Sequence, residues 1–137
     1  MESGHAELTA VQIQHINKAY NELHDGKNVQ VMRTLRKYEI MVLVALTLEA
    51  RGIEKVLVEQ VNERADALCV SLNWEELREH EFHDILMRMK SFGLVNVLYE
   101  NKLVNNIFVA ANFYLDEMEH AFGGRTYYEK FKTLFPR

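Results

Sequence analysis

The chain has 137 residues, of which 48% are hydrophobic and 26% are charged, and its formal net charge is −4. This length and composition predict one globular domain, or one domain with short appendages, and they exclude extensive disorder away from the chain ends. The acidic balance argues against a free-standing, non-specific nucleic-acid binder, which would carry a basic excess, although it is compatible with a local basic patch.

Cysteine content and hydropathy exclude further classes of protein. The single cysteine, Cys69, can form neither an internal disulfide nor a cysteine zinc cluster, so the chain suits a reducing compartment, the cytosol or the nucleus. The N-terminal residues are polar and acidic and do not form a signal peptide. The longest apolar run, Ile40–Leu46, is far too short to span a bilayer.

Helical patterns fill the first fifty residues. Thr9 and Gln12 form a capping-box pattern at the start of a first helix, which ends at Asp25-Gly26. A short helical turn is predicted over 28–34. The segment 38–50 leaves almost no polar face, so we expect it to be central and buried on most sides. Its β-branched residues make a strand arguable for its middle, but its length and the stop after it favour a helix.

The middle of the chain predicts a small strand, two helices and a hairpin. The strand is expected within 53–57, a helix over 58–69, and a turn or loop over 70–78. One apolar helix face then recurs at three- and four-residue spacing, at Phe82, Ile85, Leu86, Met89 and Phe92. Gly93 stops this helix, and the strands 94–99 and 103–109 follow around a polar turn at 100–102.

The remaining residues predict a last helix and an aromatic tail. Asn112 is placed to cap the helix, Gly123-Gly124 ends it, and the tail runs from Thr126 to Phe135. The predicted fold is mainly α with a small β-hairpin, a winged helix-turn-helix. The winged-helix domain is expected at 35–111, with leading helices at 1–34 and the C-terminal helix and aromatic tail at 112–137.

In this order of elements, the chain resembles the C-terminal part of the origin recognition complex and initiator ATPase family. The similarity begins at Leu8–Gln12, which looks like the start of the last helix of an AAA+ lid. It continues through Leu35–Ile40, the entry to the first winged-helix helix, and through Phe82–Val95, where a helix ends just before the wing. A last helix over 112–122 fits as well. The resemblance is greatest to subunit 4, while subunit 1 and the archaeal initiators share the same layout.

The resemblance implies a module of a longer DNA-replication protein. Its expected partners are other subunits of the complex and double-stranded DNA, contacted mostly at the backbone, in the nucleus and with no membrane. The ATPase half of the family carries a phosphate loop, G-x-x-x-x-G-K-[S/T], which does not occur here. Gly123–Thr126 has the wrong spacing for such a loop and no suitable lysine. The implied module therefore binds no nucleotide, needs no cofactor and is not an enzyme.

The charges around the predicted recognition helix are unfavourable for a protein that reads DNA alone. Between Asn73 and Gly93, three cations stand against five acids, and acids that face phosphates repel them. Lys102 at the predicted wing tip is the better backbone contact, and the basic residues before the buried helix could also reach a phosphate. The expected DNA-binding residues are Arg78, Arg88, Lys90, Lys102, Arg36 and Lys37. For each cation, the alternative is an ordinary solvated surface charge.

The aromatic residues near the C-terminus leave two interpretations open. Tyr127, Tyr128, Phe131 and Phe135 can anchor a partner, since aromatic side chains are enriched in interface cores. They can also pack back on the winged helix, as a compact domain usually buries its own aromatic side chains. For Trp74, core packing is favoured over an interface contact.

Metal binding and catalysis have little support in the sequence. His80, His83 and Asp84 share a helix face, but no further ligand accompanies them. No catalytic signature is present. Two alternatives to the replication module stay open, a stand-alone winged-helix transcription regulator and a winged helix that serves only as a protein–protein adaptor. The regulator would normally be a dimer with its recognition helices about one DNA turn apart.

Overall fold

The structure, a computed structural model, describes residues 26–99 and 107–134. In these ranges the elements are, in chain order, α1 (Lys27–Met32), α2 (Lys37–Glu49), β1 (Val56–Leu57), α3 (Val58–Ser71), α4 (Glu79–Ser91), β2 (Val95–Tyr99), β3 (Ile107–Ala111), α5 (Leu115–Phe122) and α6 (Thr126–Lys132). The helix expected between Thr9 and Asp25 and the hairpin turn expected at 100–102 lie outside the described residues. No helix in the described ranges has both the length and the apolar character needed to cross a bilayer.

Helix α2 lies at the centre of the core because its sequence is apolar on nearly all sides. Every residue of the run Ile40–Leu46 is at most 1% exposed. Helices α3 and α4 pack against it, and each presents one apolar face. Burial of this many apolar side chains is the main stabilising contribution to the fold.

The three described strands form an antiparallel sheet in the order β1-β3-β2. Val95 faces Ala111 across the β2–β3 pair, and Val56 faces Val109 across the β1–β3 pair. Val109 is fully buried and anchors the sheet to the core. A helix, a strand, two helices and a hairpin, in that order, are the elements of a winged helix-turn-helix, so the predicted fold is confirmed.

The flanking helices belong to the same core. Val29 and Met32 of α1 are at most 1% exposed, as is Phe122 of α5. Asn28 Nδ2 also joins α1 to α5, since it donates to the carbonyl of Asn112 at 3.1 Å and to Glu117 Oε1 at 3.2 Å. The described residues of the three predicted segments therefore share one core.

The predicted cap of the last helix is wrong. Helix α5 begins at Leu115, where the carboxylate of Glu117 accepts the backbone N–H of Tyr114 at 2.8 Å. The side chain of Asn112 is used elsewhere, because its Nδ2 donates to the carbonyl of Gly93 at 2.8 Å. Asn112 thus ties the end of the hairpin to the turn between α4 and β2.

The predicted aromatic tail is also wrong as a description of 126–132, which form helix α6. The helix forms because Tyr128 and Phe131, three residues apart, fall on one face and enter the core. Two boundaries shift as well, since α3 continues to Ser71, inside the predicted loop, and β3 continues to Ala111.

Candidate nucleic-acid interface

Helix α4 occupies the recognition-helix position, and its exposed face is divided by charge. Glu79, Glu81 and Asp84 are exposed in its first half, and Arg88 and Lys90 are exposed near its end. Acids near a helix N-terminus and cations near its C-terminus complement the helix dipole. The pattern therefore stabilises the helix, whatever else it does.

The N-terminal end of α4 is unsuited to a DNA groove. It is fixed by Glu81 Oε1, which accepts the backbone N–H of Arg78 at 2.8 Å. A depression of about 240 Å³ beside it is lined in part by Glu75, Glu76 and Glu81. Recognition helices of this type usually contact bases with their N-terminal residues. Here those residues are acidic and would repel phosphates, so the cationic end of α4 is the better DNA-facing part.

Arg88 has a structural partner. Its guanidinium pairs with the carboxylate of Glu39 on α2, which is only 6% exposed. The second oxygen of Glu39 accepts the backbone N–H of Arg36 at 2.9 Å. The Arg88 side chain is still 53% exposed. Because a buried carboxylate needs a compensating cation, the first role of Arg88 is to hold α4 on α2.

Lys90, Arg78 and Arg36 are exposed. Within the described ranges, none of the three forms an ion pair. They are therefore available to phosphates in a way that Arg88 is not. Lys102, the predicted wing-tip contact, lies outside the described residues.

Lys37 belongs to an aromatic cluster that is separate from the cations on α4. Its Nζ lies 4.7 Å from the centroid of the Trp74 ring and 5.4 Å from that of Tyr38. The Trp74 ring in turn meets Tyr127 and Phe131 edge to face, with centroids 5.6 and 5.9 Å apart. Such contacts stabilise both the cation and the rings.

Burial decides between the two interpretations of the C-terminal aromatic residues. Tyr128 is fully buried and Phe131 is 1% exposed, so the partner-anchor prediction is wrong for these two and the packing alternative holds. Burial, with Glu119 close by, strongly raises the pKa of Tyr128. Tyr127 is half-buried. Phe135 lies outside the described residues.

Sequence reasoning missed two cations, Arg125 just before α6 and Lys130 within it. The guanidinium of Arg125 donates to the carbonyls of Leu35 at 3.4 Å and Arg33 at 3.3 Å, which ties the start of α6 to the loop after α1. Lys130 is exposed and lies beside Trp74. The available signal was the pair of adjacent tyrosines between Arg125 and Lys130.

His80, His83 and Asp84 are not part of a metal-ligand cluster in the described part of the chain. No group of three or more His, Cys, Asp or Glu side chains there is arranged to hold a metal ion. His83 instead lies 3.9 Å from Glu79, one helical turn away.

A family model described as "CDC6, C terminal winged helix domain" matches residues 30–119. This range is well over half of the chain and contains α2 through the β2–β3 hairpin. The chain belongs to this family. The predicted resemblance to replication initiators is thereby confirmed, while the resemblance to subunit 4 in particular stays a prediction.

Solved structures give the same fold for this CDC6-type winged helix domain. It superposes on a chain of the Drosophila origin recognition complex bound to DNA with a TM-score of 0.67 and 15% identity, covering 80% of this chain and 28% of that one. It superposes on the Orc1 protein of Aeropyrum pernix in complex with DNA with a TM-score of 0.70 and 18% identity, covering 85% and 31%. The domain therefore spans less than a third of either relative. A search of curated proteins found no match.

Proposed function

We propose that this CDC6-type winged helix domain binds double-stranded DNA at replication origins, mainly through the phosphate backbone, as a non-catalytic module of an initiator protein. Family membership supports this role, and so does the likeness to two initiator proteins that are bound to DNA. The proposal includes assembly with other subunits of an origin recognition complex, with the half-buried Tyr127 as a candidate contact, and a nuclear location. The proposed DNA binding by this domain needs no cofactor.

The charge division of α4 is the observation that carries the backbone-binding part of the proposal. Base reading uses the N-terminal residues of a recognition helix, and these are acidic here. Lys90, at the other end of the same helix, is exposed and forms no ion pair within the described ranges. Phosphate contacts place a protein on DNA without reading its sequence. The geometry thus favours positioning over sequence recognition.

The proposed contacts are ranked by availability. Lys90 comes first, and Arg36 follows because it is exposed. Arg78 is exposed as well but ranks below them, since it lies at the acidic N-terminal end of α4. Arg88 is paired with Glu39, so only the exposed half of its side chain can contribute a phosphate contact. Lys102 remains a sequence-based proposal for the wing.

The salt dependence of DNA binding tests this function. The 137-residue chain is titrated into a fluorescein-labelled duplex over a series of salt concentrations, with fluorescence anisotropy as the readout. Loss of one phosphate contact in Lys90→Ala should weaken binding and reduce the slope of log K against log salt by about 0.9. Lys130→Ala on α6 is the matched control, since it removes an exposed lysine from another element.

Two results would count against the proposal. Tight, sequence-specific binding at physiological salt would mean that the helix reads bases. An unchanged slope of log K against log salt in Lys90→Ala would mean that Lys90 does not contact a phosphate. Sedimentation of the same chain addresses the transcription-regulator alternative, because a regulator of that type would normally form a stable symmetric dimer.

A further inference from the structure

A groove of about 300 Å³ lies where the start of α2, the loop between α3 and α4, and helix α6 come together. It is lined by Lys37, Leu72, Trp74, Thr126, Tyr127 and Lys130. Leu72, Trp74 and Tyr127 are half-buried and form an apolar floor, and the two exposed lysines lie at its rim. The groove therefore combines an apolar surface with positive charge contributed by two different helices.

The rings in this groove are arranged in a way that disfavours stacking with a nucleobase. The ammonium of Lys37 lies over the Trp74 ring at 4.7 Å, while Tyr38 and Tyr127 meet the same ring edge to face. A base that stacked on Trp74 would have to displace the cation. Proteins that bind single strands use open aromatic faces for this purpose.

The two lysines at the rim are not paired with an acidic side chain within the described ranges, although Glu75 and Glu76 follow Trp74 in the chain. Neither Lys37 nor Lys130 forms an ion pair there. Lys132, two residues further along α6, instead pairs with Glu119 at 3.1 Å and with Glu129 at 3.5 Å. The sequence of α6 thus neutralises one lysine and leaves Lys130 beside the apolar floor.

We propose that this groove docks an acidic peptide segment of a partner protein. One aliphatic side chain of the peptide packs against Leu72 and Tyr127, beside the Trp74 ring that Lys37 covers, and carboxylates on either side of it pair with Lys37 and Lys130. Duplex DNA would meet the same cations, but it would leave the apolar floor unfilled. The peptide site goes beyond the proposed DNA binding and does not depend on it.

Trp74 provides a direct readout because it is the only tryptophan of the chain. The probe is the fluorescein-labelled peptide Glu-Asp-Glu-Leu-Asp-Glu-Asp, and its unlabelled form is used for the tryptophan signal. We expect saturable binding of the labelled peptide by anisotropy and a change in Trp74 emission with the unlabelled one. A peptide with Ser in place of Leu should bind more weakly, because it has no apolar side chain for the floor.

Charge reversals locate the site on the chain. Lys130→Glu should raise the Kd of the peptide about fivefold, the size expected for an exposed charge contact. Lys37→Glu should have an effect of similar size, since Lys37 is the other cation at the rim. Lys90→Glu on α4 is the matched control and should leave peptide binding unchanged while it weakens binding of duplex DNA. Thermal melts of each variant confirm that the fold is kept.

Several outcomes would overturn the peptide site. They are the absence of saturable peptide binding, equal affinity of Lys130→Glu and the unmodified chain, and equal affinity of the Leu and Ser peptides. Duplex DNA binding that depends on Lys37 and Lys130, without peptide binding, would assign the groove to DNA instead. The proposed DNA binding is tested separately, by the effect of Lys90→Ala on binding of duplex DNA.

Discussion

Replacement of Arg88 by methionine separates a structural role from a DNA-binding role. The substitution keeps an apolar stem of similar reach but removes the guanidinium. Glu39, which is 6% exposed, would then keep the backbone N–H of Arg36 as its remaining described partner. We therefore expect Arg88→Met to destabilise the fold even in the absence of DNA.

The expected magnitude follows from the exposure of the two partners. Removal of one partner from a fully buried ion pair costs about 3–5 kcal/mol. Solvent reaches the Arg88 side chain, which is 53% exposed, and Glu39 keeps one hydrogen bond. The cost should therefore be closer to that of a partly satisfied charged acceptor, about 2 kcal/mol. For a chain of this size, this corresponds to a fall in Tm of roughly 8 °C.

Urea unfolding measures the effect, with Lys90→Met on the same helix as the matched control. The control should stay within about 0.5 kcal/mol of the unmodified chain, as surface substitutions usually do. In a Glu39→Gln background, Arg88→Met should cost much less, because no buried charge is left unpaired. If Arg88→Met is as stable as Lys90→Met and loses DNA affinity, the structural assignment of Arg88 is refuted.

Three further substitutions have defined outcomes. Gly93→Ala should lower the free energy of unfolding in urea by about 1 kcal/mol, because Gly93 has φ +80°. An added Cβ meets nothing within 4 Å, so the cost is conformational and not steric. Equal stability of the two chains would contradict this. Asn112→Ala should cost about 1 kcal/mol through loss of the hydrogen bond to the Gly93 carbonyl, with faster amide exchange in β3 as a second readout. The raised pKa of Tyr128 means that the folded chain holds this proton more tightly than the unfolded chain, so stability is full below the ordinary tyrosine pKa of 10.0 and falls as pH rises above it. Tyr128→Phe should flatten that fall in alkaline melts.

The order of elements could be predicted because it depends on local periodicity. Apolar residues at three- and four-residue spacing from Phe82 to Phe92 indicate one helix face whatever surrounds it. Gly93 takes the positive φ that ends this helix, a conformation that favours glycine. Similarly, the nearly continuous apolar run of α2 predicts burial on most sides. The domain boundary at 35 and 111 remains a prediction, since the core continues on both sides of it.

The roles of individual polar residues could not be predicted because they depend on distant partners. Arg88 and Glu39 are 49 positions apart, and a charge count along α4 cannot show that one of its cations is paired with α2. Asn112 has the side chain of a good helix cap. However, its amide donates a hydrogen bond to the carbonyl of Gly93, 19 positions away, and does not cap α5. Local pattern also left Tyr128 open, since spacing alone does not decide between a core and a partner.

The net charge of −4 and the backbone-binding proposal are compatible if the domain does not work alone. On the backbone-binding proposal, a few exposed cations, led by Lys90, would supply only weak affinity at physiological salt, because each phosphate contact is screened. Weak contacts become effective when a linked module raises the local concentration of DNA, without any new contact in the domain itself. In that setting, an acidic N-terminal end on α4 would be useful, since it would disfavour base contacts and leave the choice of site to the linked module. Linking this chain to an unrelated DNA-binding domain should therefore raise its apparent DNA affinity far more than it raises sequence discrimination, and Lys90→Ala should lower that gain.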